Sequence, residues 1–265
     1  MIGFVLRKTL YDYWDNMFRM ILLNLGFLLV VAIPIFLPSL VSRFTDSIAV
    51  QMALTGFGIL ICSIYLATAA FSIKSISDYG SFGFGNFFRN IKKAWLSGLV
   101  MGLFVFLLFL VITVIIPFYL SMASILGLLL AAVVFWVTIF ALVSFQFYYF
   151  VYARLGGKIF KSFKKCMILS MDNTGFSFFL FIHNLIVILL PFTITFTMFL
   201  IILPGTAGIL LYIDEALRLR LYKYDWIEAN PNANRKKIPW EELLIEDREK
   251  IGVRSFRNFV FPWKD

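Results

Sequence analysis

Residues 96–117 read Leu-Ser-Gly-Leu-Val-Met-Gly-Leu-Phe-Val-Phe-Leu-Leu-Phe-Leu-Val-Ile-Thr-Val-Ile-Ile-Pro, 22 residues without a charge. At about 1.5 Å per residue such a helix is about 33 Å long, the depth of the hydrocarbon core of a bilayer. A short uncharged link, 118–124, leads into a second apolar run, 125–150. The pair therefore reads as a tight antiparallel hairpin of membrane spans. Composition agrees: 61% of the 265 residues are hydrophobic and 15% charged, against about 45–50% and about 25% in a soluble domain. The fold class expected is all-α, a polytopic membrane helix bundle.

Working outward, two further runs occupy 20–41 and 48–71. Pro34 and Pro38 interrupt the first, but neighbouring helices re-satisfy the backbone groups that proline frees. The last apolar region, 176–213, is too long for one upright span and barely long enough for two. Pro191 and Pro204-Gly205 mark breaks, so it divides into 176–195 and 196–213. Six spans result, with five plus a re-entrant or interfacial segment as the competing arrangement. The organisation is then an N-terminal amphipathic interfacial segment, 1–19, a transmembrane domain, 20–222, and a tail, 223–265.

Charge sets the expected orientation. With the N-terminus inside, Arg43 is the one residue of the 24 Lys and Arg that faces outward, an extreme positive-inside bias. This places the chain in the cytoplasmic (inner) membrane, multi-pass, with both termini cytoplasmic. Asp12 and Asp15 in the first 19 residues, and the lack of a small-residue cleavage site there, argue against a signal peptide. The formal charge of +9 is thus assigned to an anionic inner leaflet and not to nucleic acid. Cys62 and Cys166 form no CxxC pair and there is one His, so neither a disulfide framework nor a structural zinc site is expected.

Two inner segments, Asn86–Trp95 and Lys158–Met167, align without gaps. Both have a helical period with one apolar and one basic face, the pattern of a helix lying on an anionic membrane surface. The residues expected at that surface are Phe87, Phe88, Arg89, Lys92 and Lys93 in the first, and Phe160, Lys161, Lys164 and Lys165 in the second. The stretch from Phe4 to Phe18 is a weaker third copy, with Trp14 and Phe18 as anchors and Arg7, Lys8 and Arg19 toward lipid phosphates. The Gly80-Ser-Phe-Gly-Phe-Gly85 turn has no strand before it and no Gly-Lys-Ser/Thr, so it matches no phosphate-binding fingerprint.

Few residues invite a chemical reading. His183 and Asn184 fall in the middle of the fifth span, where an ionisable residue is costly and signals either function or hydrogen bonding between helices. The second is favoured, because no acid lies in another span. Asp214 and Arg218, at i and i+4, suit an ion pair where the last span meets the surface. In the tail, Pro239 with Glu241 and Glu242 makes a good helix start and Gly252 a stop. Trp240, Leu243, Leu244, Phe256, Phe259, Phe261 and Trp263 are too few to form a core alone. They need a surface to dock on: the chain's own cytoplasmic face, the lipid surface, or a partner subunit.

Three stretches resemble the YesL-like family of small bacterial membrane proteins: Leu23-Asn24 with Pro34 ten residues later, Asn86 to Gly98, and Leu203-Pro204-Gly205. The resemblance covers about residues 10–215, and the tail departs from it. It implies several spans, no known catalytic residues, and proximity to carbohydrate ABC transporters, beside which such proteins are typically encoded. The function expected is therefore a non-catalytic membrane accessory or regulatory subunit of a carbohydrate ABC uptake transporter, with transporter subunits as protein partner. A small-solute transporter or channel is the alternative. No catalytic group, cofactor or metal is expected.

Overall fold

The computed structural model describes residues 2–156, 158–193, 201–232, 234 and 237–252. Its helices are α1 (Ile2–Asp15), α2 (Met17–Val41), α3 (Ile48–Ser77), α4 (Phe84–Leu110), α5 (Ile116–Ser121), α6 (Ile125–Phe145), α7 (Tyr148–Arg154), α8 (Ile159–Asp172), α9 (Thr174–Thr193), α10 (Gly205–Ala229), α11 (Trp240–Leu243) and α12 (Ile245–Ile251). No strand occurs among the described residues. Five stretches are long and apolar enough to cross a membrane: α2, α3, 85–121, 125–154 and α9. The chain is an all-α, multi-pass membrane bundle.

Small residues decide how the helices meet, because lipid offers no hydrophobic drive for apolar helices to associate and close van der Waals approach must supply it. α3 lies between α2 and α4, antiparallel to both. A Cβ on Gly58 would lie 2.5 Å from Pro34, and one on Gly98 would lie 2.5 Å from the Cα of Ile64. The bundle is inside-out relative to a soluble protein: Leu126, Leu129, Val133, Trp136 and Val137 of α6 are all exposed, the surface expected of a helix facing lipid.

Several expected boundaries move. Residues 86–95 do not form a separate surface helix; they are the first turns of α4, which runs unbroken into the span. Nothing between Ala94 and Gly98 breaks a helix, and Gly98 is retained inside it as a packing contact. Pro117 does not end the third span either. The chain widens into a π turn at Val111–Ile115 and continues to Ser121, which relieves the clash of the proline ring with the carbonyl four residues back. The hairpin follows as expected, with Ser124 Oγ accepting from Gly127 N at 3.1 Å to start α6.

The sixth span, 196–213, is not among the described crossings. Residues 194–200 lie outside the description, and α10 begins at Gly205 and runs through Asp214, Glu215, Arg218 and Arg220 to Ala229. Its first residues sit against Asn24, two turns into α2: Asn24 Nδ2 donates to Ile202 O (2.7 Å) and Pro204 O (3.1 Å), and Asn24 Oδ1 accepts from Ala207 N (2.7 Å). The four ionisable residues of α10 from Asp214 to Arg220 belong to the charged end of the bundle.

Candidate functional site

The charged residues gather at one end of the bundle, where α1, the end of α3, α7, α10 and α12 converge. In α1 the inward stripe is Val5, Lys8, Asp12 and Tyr13, so Lys8 does not face lipid as expected but is 1% exposed. Its Nζ donates to Asp12 Oδ2, to Glu215 Oε1 at 2.6 Å and to the carbonyl that ends α3, Ser77 O, at 3.1 Å. The reason is desolvation: an ammonium withdrawn from water needs opposite charge and acceptors on every side.

Two arginines complete the network. Arg154, at the end of α7, grips Asp214 with both Nε (2.6 Å) and Nη2 (2.7 Å), and reaches Asp78 (2.9 Å) and Ser77 Oγ (3.0 Å). Arg218 donates to Ser77 O (2.6 Å), Tyr222 Oη (2.7 Å) and Asp247 Oδ1 (2.7 Å). The expected Asp214–Arg218 pair is therefore replaced: Asp214 takes Arg154, and Arg218 takes Asp247. A planar guanidinium meeting a carboxylate side-on makes two parallel bonds, which the i, i+4 geometry does not offer.

Tyr79 stands at the centre. Its backbone has φ +60°, a conformation that costs a bulky residue energy and persists only where its surroundings enforce it. Lys8 and Arg218 lie 4.2 and 5.0 Å from its ring centroid, and its hydroxyl donates to Asp247 Oδ1 at 2.7 Å. Burial, then the Asp247 carboxylate, raise its pKa above the ordinary phenol value.

In this network three cations face five carboxylates: Asp12, Asp78, Asp214, Glu215 and Asp247. Burial pushes the Glu215 carboxyl up to about 8 against the pull of Lys8, and the neighbouring Asp12 adds to the rise. Burial raises Asp12 as well, with Lys8 again opposing. Near neutral pH the raised Glu215 carboxyl favours its protonated form. A second, smaller joint ties the α8–α9 corner to α10: Arg220 donates to Asn173 Oδ1 and stacks 4.1 Å from the Phe176 ring, while Asp172 accepts from Lys223 (2.9 Å) and Tyr224 (2.7 Å). Burial lowers Arg220 to about 10, which leaves it charged at neutral pH.

The tail docks on this end. Leu244 and Ile251 are buried, Trp240 packs against the core, and Asp247 is held by Tyr79 and Arg218. Leu244 therefore faces the chain's own core and not a partner, with Leu243 half-buried beside it. Phe256, Phe259, Phe261 and Trp263 lie outside the described residues. At the proposed membrane surface Phe88, Arg89, Lys92 and Lys93 are exposed, whereas Phe87 turns inward against Tyr65, ring centroids 5.6 Å apart. In α8 the expected apolar face divides: Phe163 packs among Phe104, Phe145 and Tyr148, while Phe160 is 87% exposed next to Lys161 and Lys164. Lys165 is half-buried, its Nζ 3.5 Å from Leu155 O.

His183 has the Tyr212 ring 4.5 Å away and Asn184 Oδ1 at 3.4 Å. The contact with Tyr212 joins α9 to α10 and is a packing contact. Among the described residues no group of three or more His, Cys, Asp and Glu side chains is placed to hold a metal ion.

The sequence reading missed Lys8, Asp12, Ser77, Tyr79, Arg154 and Asp247 as members of one network. One local signal was present, the i, i+4 spacing of Lys8 and Asp12 on the apolar stripe of α1. The three stretches that carry the family resemblance also prove to be packing joints: Asn24 meets the Pro204-Gly205 turn, Pro34 meets Gly58, and Gly98 meets Ile64. Compared with models of protein families, with curated proteins and with solved structures, the chain finds no match.

Proposed function

We propose that the chain is a non-catalytic accessory or regulatory subunit of the membrane, working through its charged end. The observation that supports this most is the docked tail: a network of buried ion pairs is used to hold α12 in place, which leaves Glu241, Glu242, Ile245, Glu246 and Glu249 exposed. The exposed face of α11 and α12 carries these four glutamates beside Arg248 and Lys250, a net negative surface suited to recognition, since charge complementarity governs encounter and register more than raw affinity. Positive-inside bias puts this end in the cytoplasm of a bacterial inner membrane. The resemblance described above makes a carbohydrate ABC uptake transporter the partner.

The test is co-purification in mild detergent of the full chain and of a chain ending after Pro231, which keeps α10 whole. Permease subunits accompanying the first at comparable amounts and missing from the second support the proposal. The chain emerging alone in both cases refutes it. A transporter or channel acting by itself is the second reading, and the buried hydroxyls of Tyr148 and Tyr212, with no hydrogen bond among the described residues, favour it. Solute flux into proteoliposomes holding this chain alone would reverse the ranking.

A further inference from the structure

Between α2 and the start of α4 lies an open cleft of about 520 Å³, within the usual range for small-molecule sites. Arg19, Leu22 and Gly26 line it from one stripe of α2, Phe87 and Phe88 from α4, and Tyr65 of α3 forms its floor. Ser81 and Gly83 line it as well. Tyr65 donates its hydroxyl to Leu23 O at 2.7 Å, so its polar atom is satisfied and its ring presents apolar surface. Gly26 permits that contact, because a Cβ there would lie 2.5 Å from the same hydroxyl.

We propose that this cleft binds one anionic phospholipid, with its phosphate at Arg19 and the upper part of one acyl chain along Leu22, Tyr65 and Phe87. Three observations carry the assignment. Both walls belong to helices apolar enough to span the membrane, which puts a phospholipid within reach of the cleft. The α2 stripe begins with a cation and becomes apolar over the seven residues to Gly26, about 10 Å of helix, which is the order of polarity along a phospholipid. The exposed cations Arg89, Lys92 and Lys93 follow on α4, which favours a net negative headgroup over a zwitterionic one. A guanidinium suits phosphate because its donors are forked; Arg19 commits Nη1 to Asn16 Oδ1 at 2.7 Å, which steadies the side chain at the mouth.

The experiment is native mass spectrometry of the full chain released from mild detergent micelles, with added phosphatidylglycerol or phosphatidylcholine of identical acyl chains. Wild type is expected to retain one phosphatidylglycerol about fivefold more tightly than phosphatidylcholine, the scale of one solvent-exposed ionic contact. Arg19→Gln removes that preference. Leu22→Trp, at an exposed position, fills the cleft and lowers retention of both lipids at least fivefold. Shielding of Cys166 from a maleimide dye shows that each variant is folded. Equal retention of both lipids by wild type, or retention unchanged in both variants, overturns the proposal. So does a dimer peak that Leu22→Trp abolishes whichever lipid is present, which would assign the cleft to a second copy of the chain.

Discussion

Replacing Lys8 by Met tests the account of the charged end most directly. The substitution keeps volume and helix propensity but removes the one cation shared by Asp12 and Glu215, and leaves Ser77 O without its bond from Nζ. Removing one partner of a buried ion pair costs about 3–5 kcal/mol, because the remaining charge is left without compensation. For a chain of this size each kcal/mol lowers Tm by about 2–4 °C, so Lys8→Met is expected to melt roughly 6–20 °C below wild type. Glu215→Gln is the contrast. With its pKa at about 8 the carboxyl already carries a proton at pH 7, so the amide replaces a neutral acceptor at a cost near 1 kcal/mol. Tryptophan fluorescence melts in detergent at pH 5 and pH 8 supply the decisive comparison, since acid protonates the Asp12 carboxylate left without its cation and restores part of the loss in Lys8→Met. A Lys8→Met protein that melts within about 2 °C of wild type, or loses the same amount at both pH values, refutes the reasoning.

Wild-type stability should itself fall as pH rises from the ordinary carboxyl value of 4.5 to about 8. Over that window the folded chain holds a proton on Glu215 that the unfolded chain releases; denaturant titrations across the range should show the decline, and Glu215→Gln should flatten it. Arg154→Lys exchanges the two-pronged grip on Asp214 for a single bond, so a loss of about 1–3 kcal/mol is expected, read as earlier exposure of Cys166 to a maleimide dye on heating. Gly205→Ala places a Cβ 2.6 Å from the Asn24 side chain at a residue with φ +44°. The clash should make Asn24→Ala and Gly205→Ala together cost less than the sum of the two single losses, with melting curves of all three variants as the check. Leu244→Ala should release the tail without unfolding the bundle: protease cleavage near residue 232 accelerates, while Tm moves by less than about 2 °C.

Much of the fold was legible along the chain. Charge-free runs of span length announce helices in lipid wherever they occur, because backbone groups in hydrocarbon must pair within their own segment. The hairpin around 118–124 and the helix stop at Gly252 could likewise be read from turn and cap residues. What misled the linear reading was continuity: nothing local says that the basic turn at 86–95 stays in line with the span after it, or that Pro117 will be absorbed by a π turn. The expected sixth span, 196–213, lies partly outside the described residues. Residues 201–213 look as apolar as their neighbours, and the turn before α10 is held by Asn24, about 180 residues earlier.

Sequence by itself determined that this protein lives in a membrane as a bundle of helices, because hydropathy is a local property that acts on each segment alone. Tertiary structure alone decided that Lys8 and Asp12 of the first helix, Tyr79 of a loop, Arg154, four positions of α10 and Asp247 of the tail form one network. Those residues lie up to 239 positions apart, and a buried charge chooses its partner by distance and desolvation in space. No spacing along the chain encodes that choice.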